Sequence, residues 1–202
     1  MALPKLAAPR FALEIPSTGK RISFRPFLVK EEKALLMAAQ SEDTLDMIDA
    51  VKDVISACVQ DESFDVEKIP YFDMEYIFLN IRAKSISEVV KLEYRHTGGV
   101  NYQGIACDAV TPVEINLENV KVQTSPEHNN KIQLDDKLGL ELRYPTINDV
   151  RMVSDGADEI EMLAKCIVSV YDDESVYEPD NLQDSLEFIE SLNNDQFTKI
   201  MK

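Results

Sequence analysis

Apolar residues recur at every second position in some stretches of the chain and at every third or fourth in others, and the change of period marks its elements. Phe11-Ala-Leu-Glu-Ile15 alternates apolar and polar residues, Ser17-Thr-Gly-Lys20 signals a turn, and Arg21-Ile-Ser-Phe-Arg25 alternates again. Together they predict a β-hairpin with Phe11, Leu13, Ile15, Ile22 and Phe24 on one face. Pro26 pushes Arg25 to extended backbone and ends the second strand. From Lys30 to Gln40 nearly every residue favours helix, and Glu31 and Glu32 stand in the first turn, where the helix dipole favours negative charge. Ser41-Glu-Asp-Thr44 is rich in capping residues and opens a second helix with Leu45, Ile48, Val51, Ile55, Cys58 and Val59 at three- and four-residue spacing. Pro70 stands at the start of a third helix, with Phe72, Met74, Ile77, Phe78 and Ile81 as its apolar positions.

The middle third returns to alternation. Val89–Tyr94, Val113–Leu117 and Leu138–Tyr144 carry β-branched and aromatic residues at every second position, with turn glycines at 98, 99 and 104, and predict a small antiparallel sheet. The last third predicts helix: a short one over 146–153, a longer one over 157–171, and two closing ones over 182–192 and 196–202 separated by Asn193-Asn-Asp195. Acidic loops lie between them, at 172–175 and 178–181. No internal repeat and no low-complexity segment is visible. The fold class expected is α+β, divided into an N-terminal hairpin and helical part (1–86), a central β part (87–145) and an acidic C-terminal helical part (146–202) within one compact unit.

Composition narrows the classes of function. With 202 residues and 45% hydrophobic content the chain can bury a sizeable core. No apolar run reaches membrane-spanning length, and the first ten residues, with prolines at 4 and 9, do not read as a signal peptide, so a cytosolic protein is expected. Three widely spaced cysteines, Cys58, Cys107 and Cys166, suit reduced thiols. The formal net charge of −16 is uneven: residues 1–30 carry six Lys or Arg against one Glu, and residues 149–202 carry four against fourteen Asp or Glu. Such a surface repels phosphate backbones and anionic lipid, so neither nucleic acid nor membrane is an expected partner. The acidic surface serves solubility, and the two oppositely charged ends are matched to each other or to protein partners.

Candidate chemistry is sparse. His96 and Cys107 lie at the two ends of a hairpin-like stretch where zinc ribbons place ligands, but a structural zinc site wants four thiolates or imidazoles, and His128 is the one other histidine. A surface histidine and a buried cysteine are the simpler reading of that pair. Cys58 and Cys166 fall on apolar helix faces. There is no nucleophile elbow and no phosphate-binding glycine loop, and Asp172–Glu178 lacks the alternation and central glycine of a calcium loop. No catalytic residue, metal or cofactor is assigned, and the chain is not expected to be an enzyme. Candidate partner-contacting residues are Arg25 and Phe27 at the strand-to-helix turn and Phe188, Phe197 and Ile200 near the C-terminus. Phe197, Ile200 and Met201 lie on a helix too short to stand alone, so they pack on the preceding helix of the same chain or in a partner's groove.

Two segments carry a family resemblance. Ile22-Ser-Phe-Arg-Pro-Phe-Leu-Val-Lys-Glu-Glu-Lys-Ala-Leu-Leu-Met-Ala38, preceded by a short hairpin, resembles the opening of baseplate hub proteins of T-even-type contractile-tailed bacteriophages. Leu186-Glu-Phe-Ile-Glu-Ser-Leu-Asn-Asn-Asp-Gln-Phe-Thr-Lys-Ile200 is similar to their acidic closing helix, Ser-Leu break and Gln-Phe-x-x-Ile segment. The resemblance covers nearly the whole chain and rests on packing and turn motifs; the cysteine pairs of the family's central hairpin are here reduced to His96 and Cys107. It implies a non-enzymatic assembly chaperone for the baseplate hub in the host cytoplasm, with other hub proteins as partners. The alternatives are a hub component retained in the virion, or a hub-associated hydrolase.

Overall fold

A computed structural model of the chain describes residues 7–41, 43–96, 99–100, 109–123, 125, 128–154, 156 and 158–201. The fold is α+β, as the periodicity predicts. Strands β1 (Phe11–Glu14) and β2 (Arg21–Phe24) form the N-terminal hairpin, with Phe11 opposite Phe24 and Leu13 opposite Ile22. Gly19 takes the left-handed backbone (φ 66°) that its turn requires. Helices α1 (Val29–Ser41), α2 (Thr44–Cys58) and α3 (Tyr71–Ser85) follow, and Asp43 caps α2 by accepting the Leu45 N–H. Ile15, Ile22, Phe24 and Phe27 join Ile48, Ile55, Met74, Ile77 and Ile81 in a first hydrophobic core.

The central stretches are antiparallel strands, but they belong to two sheets. Among the described residues, strands β3 (Val89–Arg95) and β4 (Val110–Asn116) pair only with each other, as a two-stranded ribbon. Strands β5 (Lys131–Gln133) and β6 (Gly139–Leu142) join a four-stranded sheet in the order β5-β6-β7-β8. Helices α4 (Ile147–Ser154) and α5 (Glu159–Cys166) come between β6 and β7 (Ile167–Tyr171), then β8 (Val176–Tyr177), α6 (Leu182–Ser191) and α7 (Asn194–Ile200) close the chain. The second core gathers Leu134, Leu140, Ala164, Ile167 and Ile189.

The helix expected over 157–171 is therefore helix to Cys166 and strand beyond it. The stop has a local cause. Arg143 takes the last two carbonyls of α5, its backbone N–H bonding to Cys166 O at 2.9 Å and its guanidinium to Lys165 O at 2.9 Å. Ile167-Val-Ser-Val-Tyr171 then alternates into a strand, with Ile167 and Ser169 buried and Val168 exposed.

No repeat is visible in the sequence, yet one hydrogen-bonding device occurs twice in the structure. Arg25 N–H bonds to Cys58 O at 3.0 Å and its guanidinium to Ala57 O at 2.9 Å, closing α2 as Arg143 closes α5. Each arginine also holds an acid six residues on: Arg25 reaches Glu31 at 3.0 Å, and Arg143 grips both oxygens of Asp149 at 2.6 and 3.0 Å. Each acid in turn accepts a backbone N–H three residues before it, Leu28 at 2.7 Å and Thr146 at 2.7 Å. Phe24 pairs with Val59 as Leu142 pairs with Ile167. Hairpin, arginine clamp, helix pair and a return residue paired to the hairpin (Val59 or Ile167) thus appear as two successive modules, each with its own core and a further helix packed on its second helix, α3 on α2 and α6 on α5.

Candidate partner-binding surface

The residues expected to touch partners are placed mainly inside these modules. Arg25 is spent on the first clamp, and it also donates to the Pro26 carbonyl at 2.9 Å. Phe27 is buried in the first core, and its N–H donates to the Ser85 hydroxyl at 2.9 Å. Phe188, Phe197 and Ile200 are half-buried against the second core. There α7 is fixed by a capping box between Asn193 and Gln196, by Gln196 bonding to Asp135 at 2.9 Å, and by Lys199 bonding to the Leu134 carbonyl at 2.6 Å. Ile200 also forms part of the wall of a groove of about 920 Å³ between β5, β6, α4, α5 and α7, with Leu142, Tyr144, Val150 and Leu163 around it.

Electrostatics make both clamps structural. Burial alone would raise the Glu31 carboxyl, but Arg25, the Leu28 N–H and Lys30 outweigh it and hold the group below its usual range. Asp149 is 2% exposed, and burial opposes its charge in the same way; Arg143 and Thr146 bring it down to about 2. Cys58 lies beside the first clamp and is pushed up to about 11 by burial, and Cys166 is raised for the same reason, so both thiols stay protonated at neutral pH. His96, at the end of β3, is exposed and its backbone N–H donates to Ala109 O at 2.9 Å; Cys107 lies outside the described residues. Among the described residues no group of three or more His, Cys, Asp or Glu stands where it could hold a metal ion. Among them too, no helix is long and apolar enough to cross a membrane.

The exposed apolar surface includes two places that the sequence does not single out and that bear on recognition. One is the β3–β4 ribbon. Alternation puts Val90, Leu92 and Tyr94 on one face, opposite Ile115, Val113 and Thr111. Among the described residues neither hydrophobic core takes in that face, and Leu92 and Tyr94 are 38% and 59% exposed. The ribbon is tied at its base, where Lys84 bridges Glu88 at 2.7 Å and Glu118 at 2.6 Å and the Leu117 N–H bonds to Glu88 O. The other place is the outer side of α1 and the turn before it, where Leu28, Val29, Leu36 and Met37 are exposed. Period-2 alternation does signal the ribbon in the sequence. It does not say that the third strand expected beside it pairs elsewhere.

A family model described as T4 bacteriophage base plate protein matches residues 8–202. The chain belongs to that family. No curated protein and no solved structure matches it. A T4-type base plate protein works among other baseplate proteins of the phage tail in the infected host, and for such a protein uncovered apolar strands and helix faces are the features that recognition uses.

Proposed function

We propose that this T4-type base plate protein is a non-enzymatic assembly factor for the central hub of the baseplate, acting by protein–protein binding. The observation that carries the reading is the ribbon face formed by Val90, Leu92, Tyr94, Val113 and Ile115. A two-stranded ribbon alone is marginal in water, and three or more strands or a covering layer make it stable. A baseplate partner that lays a strand or an apolar surface on this face supplies that layer. The acidic charge of −16 supports an escort role, since it keeps a protein with such a face from self-associating non-specifically before its partner arrives.

Mass spectrometry of purified mature particles beside baseplate intermediates from infected cells tests the proposal. Presence in intermediates and absence from virions is the expected result. Stoichiometric presence in both would replace the escort with a retained hub component, and absence from both would overturn the hub assignment.

A further inference from the structure

We infer that a second copy of this chain docks head-to-tail on the outer face of α1 and the turn before it, using the contact by which α4 docks on the first module. That inner contact is specific. The Tyr71 N–H donates to Pro145 O at 2.8 Å, and Pro70 bridges to Thr146. The Phe72 ring meets Tyr144 edge-on with centroids 5.0 Å apart. Arg151 reaches Asp49 of α2 at 2.6 and 3.2 Å, and Ile147, 1% exposed, is inserted in the first core.

The two clamps set an exact register between the modules, since Arg25 corresponds to Arg143 and Glu31 to Asp149 with no gap between. In that register Leu28 stands for Thr146, Val29 for Ile147 and Lys33 for Arg151. Ile147 and Arg151 have a module to dock on. Val29 is 80% exposed, Leu28 is 47% exposed and Lys33 is exposed. The contact is directional, second module onto first. A directional contact leaves one donor face and one acceptor face open on every chain, and only another molecule can cover them.

The open acceptor lies at the start of α6, the counterpart of the start of α3. Val170, Tyr177, Pro179, Asp184 and Phe188 line a cleft of about 280 Å³ there, and Tyr177 is 53% exposed. Charge favours a second copy as the occupant. Lys30 and Lys33 are exposed beside Val29, and Glu178 and Asp184 line the cleft. This inference concerns self-association and stands apart from the hub proposal, so a monomeric result here leaves the particle analysis untouched.

Sedimentation of the full chain between about 10 and 200 µM is the test. The expected result is association that grows with concentration and weakens between about 50 and 500 mM salt. Val29→Glu and Tyr177→Glu each lie on exposed positions and leave the melting temperature unchanged, and each weakens association by at least about tenfold. Mixed together, the two variants regain a dimer that grows no further, because each retains the face the other lacks. A wild-type chain that stays monomeric throughout would overturn the inference, as would association untouched by either variant or a mixture that fails to pair.

Discussion

The two arginine clamps are the residues on which each module closes, and their burial sets what their removal costs. Arg25 and Glu31 keep only 14% and 7% of their side-chain surface. Arg25→Ala leaves a buried carboxylate without its cation and frees the last carbonyls of α2, and a loss of about 3 kcal/mol in urea unfolding is expected. Phe27→Ala opens a cavity in the first core and is expected to cost about 3 kcal/mol as well. Both variants therefore act on folding first; an unchanged melting temperature with lost binding to baseplate proteins would show that the turn is a contact surface instead. Asp149 adds a pH dependence. Its pKa in the folded chain, about 2, lies below the ordinary 3.8, so its charge stabilises the fold above about pH 4 and that contribution is lost as pH falls toward 2. The loss is on the order of 2 kcal/mol. Asp73 works the other way, since burial holds its carboxyl above the usual range and protonation favours the folded chain there. Urea midpoints at pH 7, 4 and 2 for wild type and Asp149→Asn check the sign: the variant starts lower and shows the flatter acid limb.

At the scale of elements the ribbon and α7 make opposite predictions. Leu92 and Tyr94 stand on a face that, among the described residues, neither core takes in, so Leu92→Ser with Tyr94→Ser is expected to change unfolding free energy by less than about 1 kcal/mol while abolishing co-purification with baseplate partners. Equal losses of stability and binding would mean that the ribbon face is packed within the chain. Phe197, by contrast, is part of the second core's cover, and Phe197→Ala is expected to destabilise by about 2 kcal/mol, read as a lower melting temperature. The N-terminal hairpin, α1–α3 and the two closing helices were legible in the sequence because their signals are local: alternation, Asp43 and Asn193 as caps, Pro70 ahead of a helix. The stop at Cys166 was not, because Arg143, twenty-three residues away in sequence, enforces it. The partition of strands between two sheets was equally hidden, since β6 and β4 carry the same alternation and only long-range pairing distinguishes them. The duplication left one faint trace: Arg25 with Pro26 and Glu31, Arg143 with Pro145 and Asp149. It escapes notice because the corresponding core residues differ in kind, Phe24 against Leu142 and Val59 against Ile167.

Across the whole molecule the two modules are joined through α4. Its polar side holds the second clamp through Asp149, while Ile147 and Val150 pack in the first core and Arg151 pairs with Asp49. The helix ties the modules together, since Asp149 belongs to one module's clamp and Ile147 to the other module's core. The two cores are therefore expected to melt in a single cooperative transition, with equal calorimetric and van't Hoff enthalpies. Ile147→Ala removes a fully buried branched side chain from the first core at a cost of about 3 kcal/mol, while leaving the Arg143–Asp149 pair in place. Combined with Arg151→Ala it cuts the link between the modules but spares the interior of the second. Calorimetry of the double variant should then resolve two transitions, the first module melting below the second. Two transitions already in the wild type would show that the modules fold independently and that α4 merely touches both; a single lowered transition in the double variant would show that the groove and backbone contacts around Tyr71 and Pro145 suffice to couple them.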